Sequence, residues 1–127
     1  MFDFTNQNVI VTGASRGIGK GIAQAFLQAG AFVIGTYLSN EDAVTQFKQE
    51  NATYQDKIDF QKFNVAVEED VARFFKYVEE KYENQIHVVV NNSGIRKDNL
   101  IAMMKPEEWH QVIETNLSGA FYMCKFS

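Results

Sequence analysis

The chain contains a glycine-rich turn whose residue types suit it to binding phosphate. The segment Thr12-Gly13-Ala14-Ser15-Arg16-Gly17-Ile18-Gly19 lies between a short β-branched run and an apolar pattern with helical spacing. Gly13 can form the turn that leaves a strand, and Gly17 and Gly19 let backbone amides approach a pyrophosphate at a helix N-terminus, where the helix dipole favours an anion. The alternative is a glycine-rich turn that binds nothing, but its position between strand and helix favours a phosphate site.

A tyrosine and a lysine, Tyr77 and Lys81, have the spacing of a possible acid–base pair. A free phenol titrates near pH ~10, so it needs an adjacent cation to exchange protons near neutrality. The apolar residues of the same segment fall on one narrow helical stripe, made of Val71, Phe74, Phe75, Val78 and Tyr82. Because Tyr77 and Lys81 lie well round from that stripe, we expect an ordinary surface pair worth roughly a few tenths of a kcal/mol, not a catalytic pair.

The elements that position these residues alternate between strand and helix. Apolar and β-branched runs predict strands at Asn8–Thr12, Ala31–Tyr37, Ile58–Val65 and His87–Val90. Helical spacing and capping residues predict a helix from Ile18 to Gly30, one beginning at Asn40, one over Glu68–Tyr82 and one from Pro106 toward the C-terminus. This order predicts an α/β fold, a doubly wound, Rossmann-type parallel sheet of strand order 3-2-1-4 with helices on both faces.

Composition limits the possible classes of protein. With 127 residues, 46% hydrophobic and 22% charged, the chain predicts one compact domain over residues 1–127. The net charge of −4 argues against a nucleic-acid-binding protein, because such proteins usually present a basic surface. No apolar run approaches the ~20 residues of a membrane span, and no secretory signal is visible.

The single cysteine, Cys124, excludes an internal disulfide, and together with the acidic charge it fits a cytoplasmic protein. Neither histidine has a Cys, Asp or Glu at ligand spacing, so no metal site is predicted.

Two motifs on two predicted strands carry a family resemblance. The Thr-Gly-x-x-x-Gly-x-Gly turn follows the first strand, and Asn91-Asn92-Ser93-Gly94 follows the fourth. Together they resemble the short-chain dehydrogenase/reductases, whose usual second motif is Asn-Asn-Ala-Gly. Within that family the chain most closely resembles the 3-oxoacyl-[acyl-carrier-protein] reductases, over essentially its whole length. The segments that carry this closer resemblance are Thr12–Gly19, Asn64-Val65, Arg96–Leu100, Glu107–Trp109 and Glu114–Leu117.

The residues after the second strand indicate which nicotinamide cofactor to expect. Dinucleotide folds that use NAD usually place an Asp or Glu there to hold the ribose 2′-hydroxyl, whereas this chain has Thr36-Tyr37-Leu38-Ser39. Without that acid a 2′-phosphate is not repelled, and Arg16 and Ser39 could bind it, so we predict NADP(H). Arg16 could instead be a solvated surface residue. With the resemblance, the predicted cofactor-binding residues are Gly13, Ser15, Arg16, Gly17, Ile18, Gly19, Ser39, Asn64, Val65 and Asn92.

The resemblance also implies a reaction and its partners. It implies NADPH-dependent reduction of a 3-oxoacyl thioester carried by acyl carrier protein, in fatty-acid biosynthesis, by a cytoplasmic or plastid homo-oligomer that is a tetramer in the family. Asn116 matches the family's supporting catalytic asparagine, although a structural role for it is equally open. The family's catalytic serine, tyrosine and lysine lie beyond the position that corresponds to Ser127. We therefore expect this chain alone to carry the cofactor half and to be inactive. We also expect its fourth strand to form an exposed edge of the sheet. The alternatives are a short-chain reductase of another ketone and a non-catalytic nucleotide-binding module.

Overall fold

The protein is described by a computed structural model that covers residues 2–83, 85–93, 105–113 and 118–126. Strands and helices alternate along the chain as predicted. A 3-10 helix at Ala52–Lys57, which the sequence pattern did not predict, follows the second helix. The elements are β1 (Asn8–Val11), α1 (Gly17–Gln28), β2 (Phe32–Tyr37), α2 (Glu41–Glu50), β3 (Ile58–Lys62), α3 (Glu68–Tyr82), β4 (Val88–Val90), α4 (Pro106–Ile113) and α5 (Gly119–Phe126).

The four strands form one parallel sheet in the order β3-β2-β1-β4. Ile10, at the centre of β1, pairs with Ile34 of β2 on one side and with Val89 of β4 on the other. Among the described residues, β4 pairs with β1 alone. The predicted fold class and strand order are therefore confirmed.

The sheet is covered by helices on both faces, and each face has its own core. Alternate residues of β1 point to opposite faces, so Val9 and Val11 belong to one core and Ile10 to the other. The first core is completed by α1 and α2, chiefly through Ala23, Leu27 and Phe47. The second is completed by α3 and α5, through Val71, Phe74, Phe75, Val78 and Met123. Burying a side chain of this size stabilises the fold by roughly 1.5–3 kcal/mol.

The third strand ends earlier than the sequence pattern predicted. We predicted a strand over Ile58–Val65, but β3 ends at Lys62. Asn64 turns the chain, because its side-chain oxygen accepts a hydrogen bond from the Ala66 amide at 2.9 Å and its carbonyl accepts one from the Val67 amide at 3.1 Å. This local hydrogen bonding competes with the strand and releases Asn64 and Val65 from the sheet edge.

The predicted helix boundaries are met at α2 and α3. The Asn40 side chain caps α2 by accepting a hydrogen bond from the Ala43 amide at 3.0 Å. Helix α3 ends at Tyr82, and the following residue, Glu83, has a left-handed conformation with φ of 55°. The helix predicted from Pro106 onward corresponds to α4 and α5, and the residues between them, 114–117, lie outside the described residues.

Candidate functional site

A cleft of about 380 Å³ lies at the carboxyl ends of the strands. Ligands of open parallel sheets bind at this edge, at the point where the chain changes direction across the sheet. Here that point is at β1, because β2 and β3 lie on one side of it and β4 on the other. Three segments contribute most of the wall: the glycine-rich turn after β1, the residues after β2 and the turn after β3. The lining residues are Gly13, Ser15, Arg16, Gly17, Thr36, Tyr37, Leu38, Ser39, Asn40, Phe63, Asn64, Val65, Asn92 and Ser93.

The glycine-rich turn has a backbone that only glycine adopts readily at two positions. Gly13 and Gly17 have φ angles of 64° and 61°, in the left-handed region. Gly19 is buried, and a methyl group there would lie 2.9 Å from the Gly13 carbonyl carbon, too close for any side chain. Helix α1 begins at Gly17, so its N-terminal amides lie beside the cleft without an acidic residue in the first turn. The turn can therefore present backbone N–H groups and the positive end of α1 to an anion.

The hydroxyl of Thr12 joins the glycine-rich turn to the Asn91–Ser93 segment. Thr12 is buried, and its Oγ1 accepts hydrogen bonds from the backbone amides of Asn92 and Ser93, both at 2.9 Å. The Asn92 side chain adds a bond from its Nδ2 to the Gly13 carbonyl oxygen at 3.2 Å. Asn92, which we predicted to be a cofactor ligand, therefore also fixes the conformation of the turn.

The second strand holds the same turn from the other side. The buried Thr36 accepts a hydrogen bond from the Gly13 amide on its Oγ1 at 3.3 Å and one from the Ala14 amide on its carbonyl at 3.1 Å. The glycine-rich turn is thus bonded to both neighbours of β1. This support on two sides preorganises the backbone amides that face the cleft.

The charge of the cleft favours an anionic ligand. Arg16 is exposed and lines the cleft, and none of the described lining residues is an aspartate or glutamate. Ser39 is also exposed at the wall that follows β2. An arginine without a competing carboxylate can form charge-assisted hydrogen bonds to a phosphate.

The structure brings most of the predicted cofactor-binding residues together. Gly13, Ser15, Arg16, Gly17, Ser39, Asn64, Val65 and Asn92 all line the cleft. Gly19 is packed behind the turn, and Ile18 is exposed in the first turn of α1 without lining the cleft. Asn116 lies outside the described residues.

Sequence reasoning did not assign roles to Thr12, Thr36 or Phe63. Thr12 and Thr36 are the only buried threonines among the described residues, and each stands at the carboxyl end of a strand that meets the cleft. That placement was readable from the sequence, but the amide partners of the two hydroxyls were not. Phe63 lines the cleft and stacks on Phe74 of α3, with ring centroids 4.7 Å apart.

Tyr77 and Lys81 belong to a cluster around Asp59 of β3 and not to the cleft. The Lys81 amine donates to the Tyr77 hydroxyl at 2.9 Å, as the spacing predicted. Both groups also donate to Asp59 Oδ2, at 2.7 Å from Tyr77 and 3.2 Å from Lys81, and Tyr82 donates to the same oxygen. The pair therefore forms as expected, but the expectation missed its third partner, Asp59, whose side chain is only 10% exposed and fastens α3 to β3.

The pKa values in this cluster oppose a catalytic role for Tyr77. Burial and the Asp59 carboxylate raise the pKa of Tyr77, and the opposing effect of Lys81 is smaller. Burial pushes the pKa of Asp59 upward, but hydrogen bonds from Tyr77, Tyr82, Gln61 and Lys81 outweigh it and hold that pKa below its usual value. A phenol bonded to a carboxylate is a poorer proton donor near neutrality than a free one.

Two other features, a metal-ion cluster and a membrane-spanning helix, are absent from the described part of the chain. No group of three or more His, Cys, Asp or Glu side chains there could hold a metal ion. The imidazole of His87 accepts a hydrogen bond from the Asn8 amide on Nδ1 at 2.9 Å, which gives it a structural partner beside β1. No helix in the described ranges has the length and apolarity to cross a bilayer.

The fold and the motifs at this edge are those of a nucleotide-binding oxidoreductase family. Residues 7–126 match the family described as short chain dehydrogenase, and the chain belongs to that family. Members of the family are oxidoreductases that bind nicotinamide cofactors. The predicted family membership is therefore confirmed.

The names of individual relatives specify substrates, which the family description does not. The chain is 41% identical over 114 residues to an acetoacetyl-CoA reductase of Paracoccus denitrificans, covering 90% of this chain and 45% of the relative. It is 36% identical over 116 residues to a 3-oxoacyl-[acyl-carrier-protein] reductase of Haemophilus influenzae, covering 91% and 46%. A solved short-chain dehydrogenase/reductase from Brucella melitensis superposes with a TM-score of 0.86 at 30% identity, over 98% of this chain and 50% of that one. The chain thus spans about half the length of these relatives.

Proposed function

We propose that residues 1–127 form one cofactor-binding domain whose cleft binds NADP(H). The observation that carries this proposal is the charge of the cleft: Arg16 lines it beside the glycine-rich turn, and no described lining residue is acidic. A carboxylate after β2 would favour a free ribose 2′-hydroxyl, whereas a 2′-phosphate needs positive charge and no repulsion.

Each predicted residue has a part in holding the dinucleotide. Gly13 would form the turn and Gly19 would allow its close packing, while the backbone amides of Ser15, Gly17 and Ile18 would bind the pyrophosphate at the N-terminus of α1. Arg16 and Ser39 would bind the 2′-phosphate, and Asn64 and Val65 the adenine. Asn92 would support the opposite wall while its amide holds the turn. When bound, the reduced nicotinamide supplies the hydride.

The reaction that the two named relatives favour is the reduction of a 3-oxoacyl thioester. The named relatives include a 3-oxoacyl-[acyl-carrier-protein] reductase and an acetoacetyl-CoA reductase, and acetoacetyl is itself a 3-oxoacyl group. We therefore assign the chain to the cofactor half of a cytoplasmic, homo-oligomeric 3-oxoacyl-[acyl-carrier-protein] reductase of fatty-acid biosynthesis. Asn116 would support proton relay to the substrate oxygen.

A second candidate is reduction of a 3-oxoacyl group carried by coenzyme A. The relative at 41% identity, whose name specifies an acetoacetyl-CoA substrate, favours it. The two candidates share the cofactor and the keto chemistry and differ only in the thioester carrier. Direct competition between the two carriers in binding assays separates them.

The cofactor proposal is tested by titrating the 127-residue chain with NADPH and with NADH while following the nicotinamide fluorescence. We expect NADPH to bind about tenfold or more tightly, which corresponds to about 1.4 kcal/mol for the phosphate contact. Arg16→Ala should remove most of that preference, whereas Lys76→Ala, at an exposed position of α3, should not change it. Equal affinity of the parent chain for the two cofactors would refute the assignment.

A further inference from the structure

The N-terminal residue of α5 makes an unusually close contact with the cleft wall. Gly119 is buried, and its α-carbon faces Val65, the residue that lines the cleft after β3. A Cβ atom at position 119 would lie 2.8 Å from Val65 Cγ2, 3.2 Å from the Val65 carbonyl oxygen and 3.3 Å from its carbonyl carbon. The Cγ2 contact would force the valine side chain to shift, and the two backbone contacts are tight enough that the turn itself would also have to give by a few tenths of an ångström.

Helix α5 is held more firmly at this contact than the turn that carries Val65. Helix α5 is anchored by Met123, which is fully buried in the core with Val71 and Phe74, and by an ion pair of 3.1 Å between Lys125 and Glu68 of α3. The Val65 side is a turn, fixed by the side-chain oxygen of Asn64 on the Ala66 amide. Because the core side chain of Met123 has less freedom than the turn, a larger residue at 119 would displace chiefly the turn.

We propose that Gly119 is a positioning residue that keeps the Asn64–Val65 wall of the cleft in place for nucleotide binding. This inference rests on the proposed binding of NADP(H). The adenosine end of the ligand packs against the Asn64–Val65 wall, and α5 sets the position of that wall. No described residue of α5 lines the cleft itself. Gly119 touches no ligand and acts through Val65.

The chain offers a matched control for this proposal. Gly21 is also a helical glycine, in α1, and a Cβ atom added there would meet nothing within 4 Å. Alanine has a higher helix propensity than glycine inside a helix, so Gly21→Ala should not weaken α1. The two variants differ in the overlap with Val65.

The experiment measures binding of NADPH and of 2′,5′-ADP, which carries only the adenosine end, to the parent chain and both variants. We expect Gly119→Ala to raise both dissociation constants by about tenfold, and Gly21→Ala to leave them unchanged. Amide NMR spectra of the ligand-free proteins should show displaced signals for Asn64, Val65 and Ala66 in Gly119→Ala only. Val65→Ala removes Cγ2, the atom nearest to a Cβ at position 119. Gly119→Ala should therefore lower the affinity less in the Val65→Ala background than in the parent chain.

The outcomes separate this inference from the proposed function. Binding of NADPH by the parent chain with the same affinity in Gly119→Ala overturns the inference alone. A loss of affinity in Gly119→Ala without displacement of the Val65 signals also overturns it. So does a loss caused by Gly119→Ala that is equally large in the parent chain and in the Val65→Ala background. Failure of the parent chain to bind either ligand overturns the proposed function, and the binding role of Gly119 with it. If Gly119→Ala does not fold in the parent chain, Gly119→Ala in the Val65→Ala background, compared with Val65→Ala alone, gives the comparison with a smaller overlap.

Discussion

Two polar side chains make the long-range bonds that fix the candidate site and its support. Thr12 joins the glycine-rich turn to the Asn92 and Ser93 amides, and Asp59 joins β3 to three side chains of α3. Both are largely buried, with exposures of 1% for Thr12 and 10% for the Asp59 side chain. Removing either acceptor leaves half-buried donors unpaired, which costs more than the bond itself contributes.

Replacing Thr12 by valine tests the first of these. The substitution keeps the shape and removes the acceptor of two amides, so we expect a loss of about 1–3 kcal/mol in the free energy of unfolding. Thr12→Ser retains the hydroxyl and should cost clearly less. Thr45→Val, at an exposed position of α2, is the matched control for the valine. Urea denaturation measures all three, and equal stabilities for Thr12→Val and Thr45→Val would show that the Thr12 bonds contribute nothing.

Replacing Asp59 by asparagine tests the second and its pH dependence. We expect a loss of about 2 kcal/mol at neutral pH, because the hydrogen bonds from Tyr77 and Tyr82 no longer have a charged acceptor. The pKa of Asp59 is lowered in the folded protein, so its contribution is present above the unfolded pKa of about 4 and is lost as pH falls through the folded value.

The measurement for Asp59 is a series of urea midpoints from neutral to acidic pH. The difference between the parent chain and Asp59→Asn should shrink as the pH falls below about 4. Asp56→Asn, at an exposed position in the 3-10 helix, should show no such trend. A difference that stays constant down to acidic pH would contradict the role assigned to the carboxylate.

At the residue scale, local pattern identified the glycine-rich turn but not its supports. The positions of Gly13, Gly17 and Gly19 carry their own signal, because few other residues suit that backbone. The α3 partners of Asp59 are 18 to 23 residues away in the chain, and nothing in the strand pattern distinguishes that aspartate from its neighbours. Spacing placed Tyr77 beside Lys81 correctly, but the third partner that changes its chemistry depends on how α3 lies on β3.

At the element scale, the ends of the strands and helices decide what faces the cleft. Helix α2 begins directly after Asn40, whose side chain both caps the helix and lies in the cleft lining. The sequence predicted this cap correctly because an Asn followed by two acids is a strong local signal. It misplaced the end of β3, because the apolar residues Phe63 and Val65 continue the strand pattern while the Asn64 side chain turns the backbone.

Substitutions of Asn40 separate its two roles. Asn40→Ala should lower stability by about 1 kcal/mol through loss of the cap. Asn40→Asp keeps the capping oxygen but adds a negative charge to the cleft, so stability should be retained while NADPH affinity falls more than NADH affinity. Thermal denaturation and fluorescence titration measure the two effects. An Asn40→Asp variant with unchanged preference between the cofactors would argue against a 2′-phosphate near this wall.

At the scale of the whole molecule, the sheet divides the structure into a cofactor edge and a supporting face. The cleft occupies the carboxyl edge of the strands, and the Asp59 cluster ties α3 to the outer strand β3. Strand order was predictable because strand–helix alternation and right-handed crossovers leave few topologies. The close approach of α5 to Val65 was not, because it depends on the packing of a helix more than fifty residues away in sequence.

The only Tyr-x-x-x-Lys sequence in the chain is Tyr77–Lys81, and the described cleft lining does not include it. We therefore expect the 127-residue chain to show no NADPH consumption with acetoacetyl-CoA or an acetoacetyl-carrier-protein substrate. The absorbance of NADPH measures this directly. Turnover that is abolished by Tyr77→Phe would contradict the structural role given to the pair.

Binding of NADP(H) in the cleft is tested most directly by an NMR titration of the isotope-labelled chain with NADPH, followed residue by residue. We expect saturable shifts in the amides of Gly13–Gly19 and Asn64–Val65, with Asn92 at the opposite wall. Signals of Lys76 and Lys81 on α3 should not move. Shifts confined to α3 around Tyr77, or no shifts at saturating NADPH, would contradict a cofactor site in this cleft.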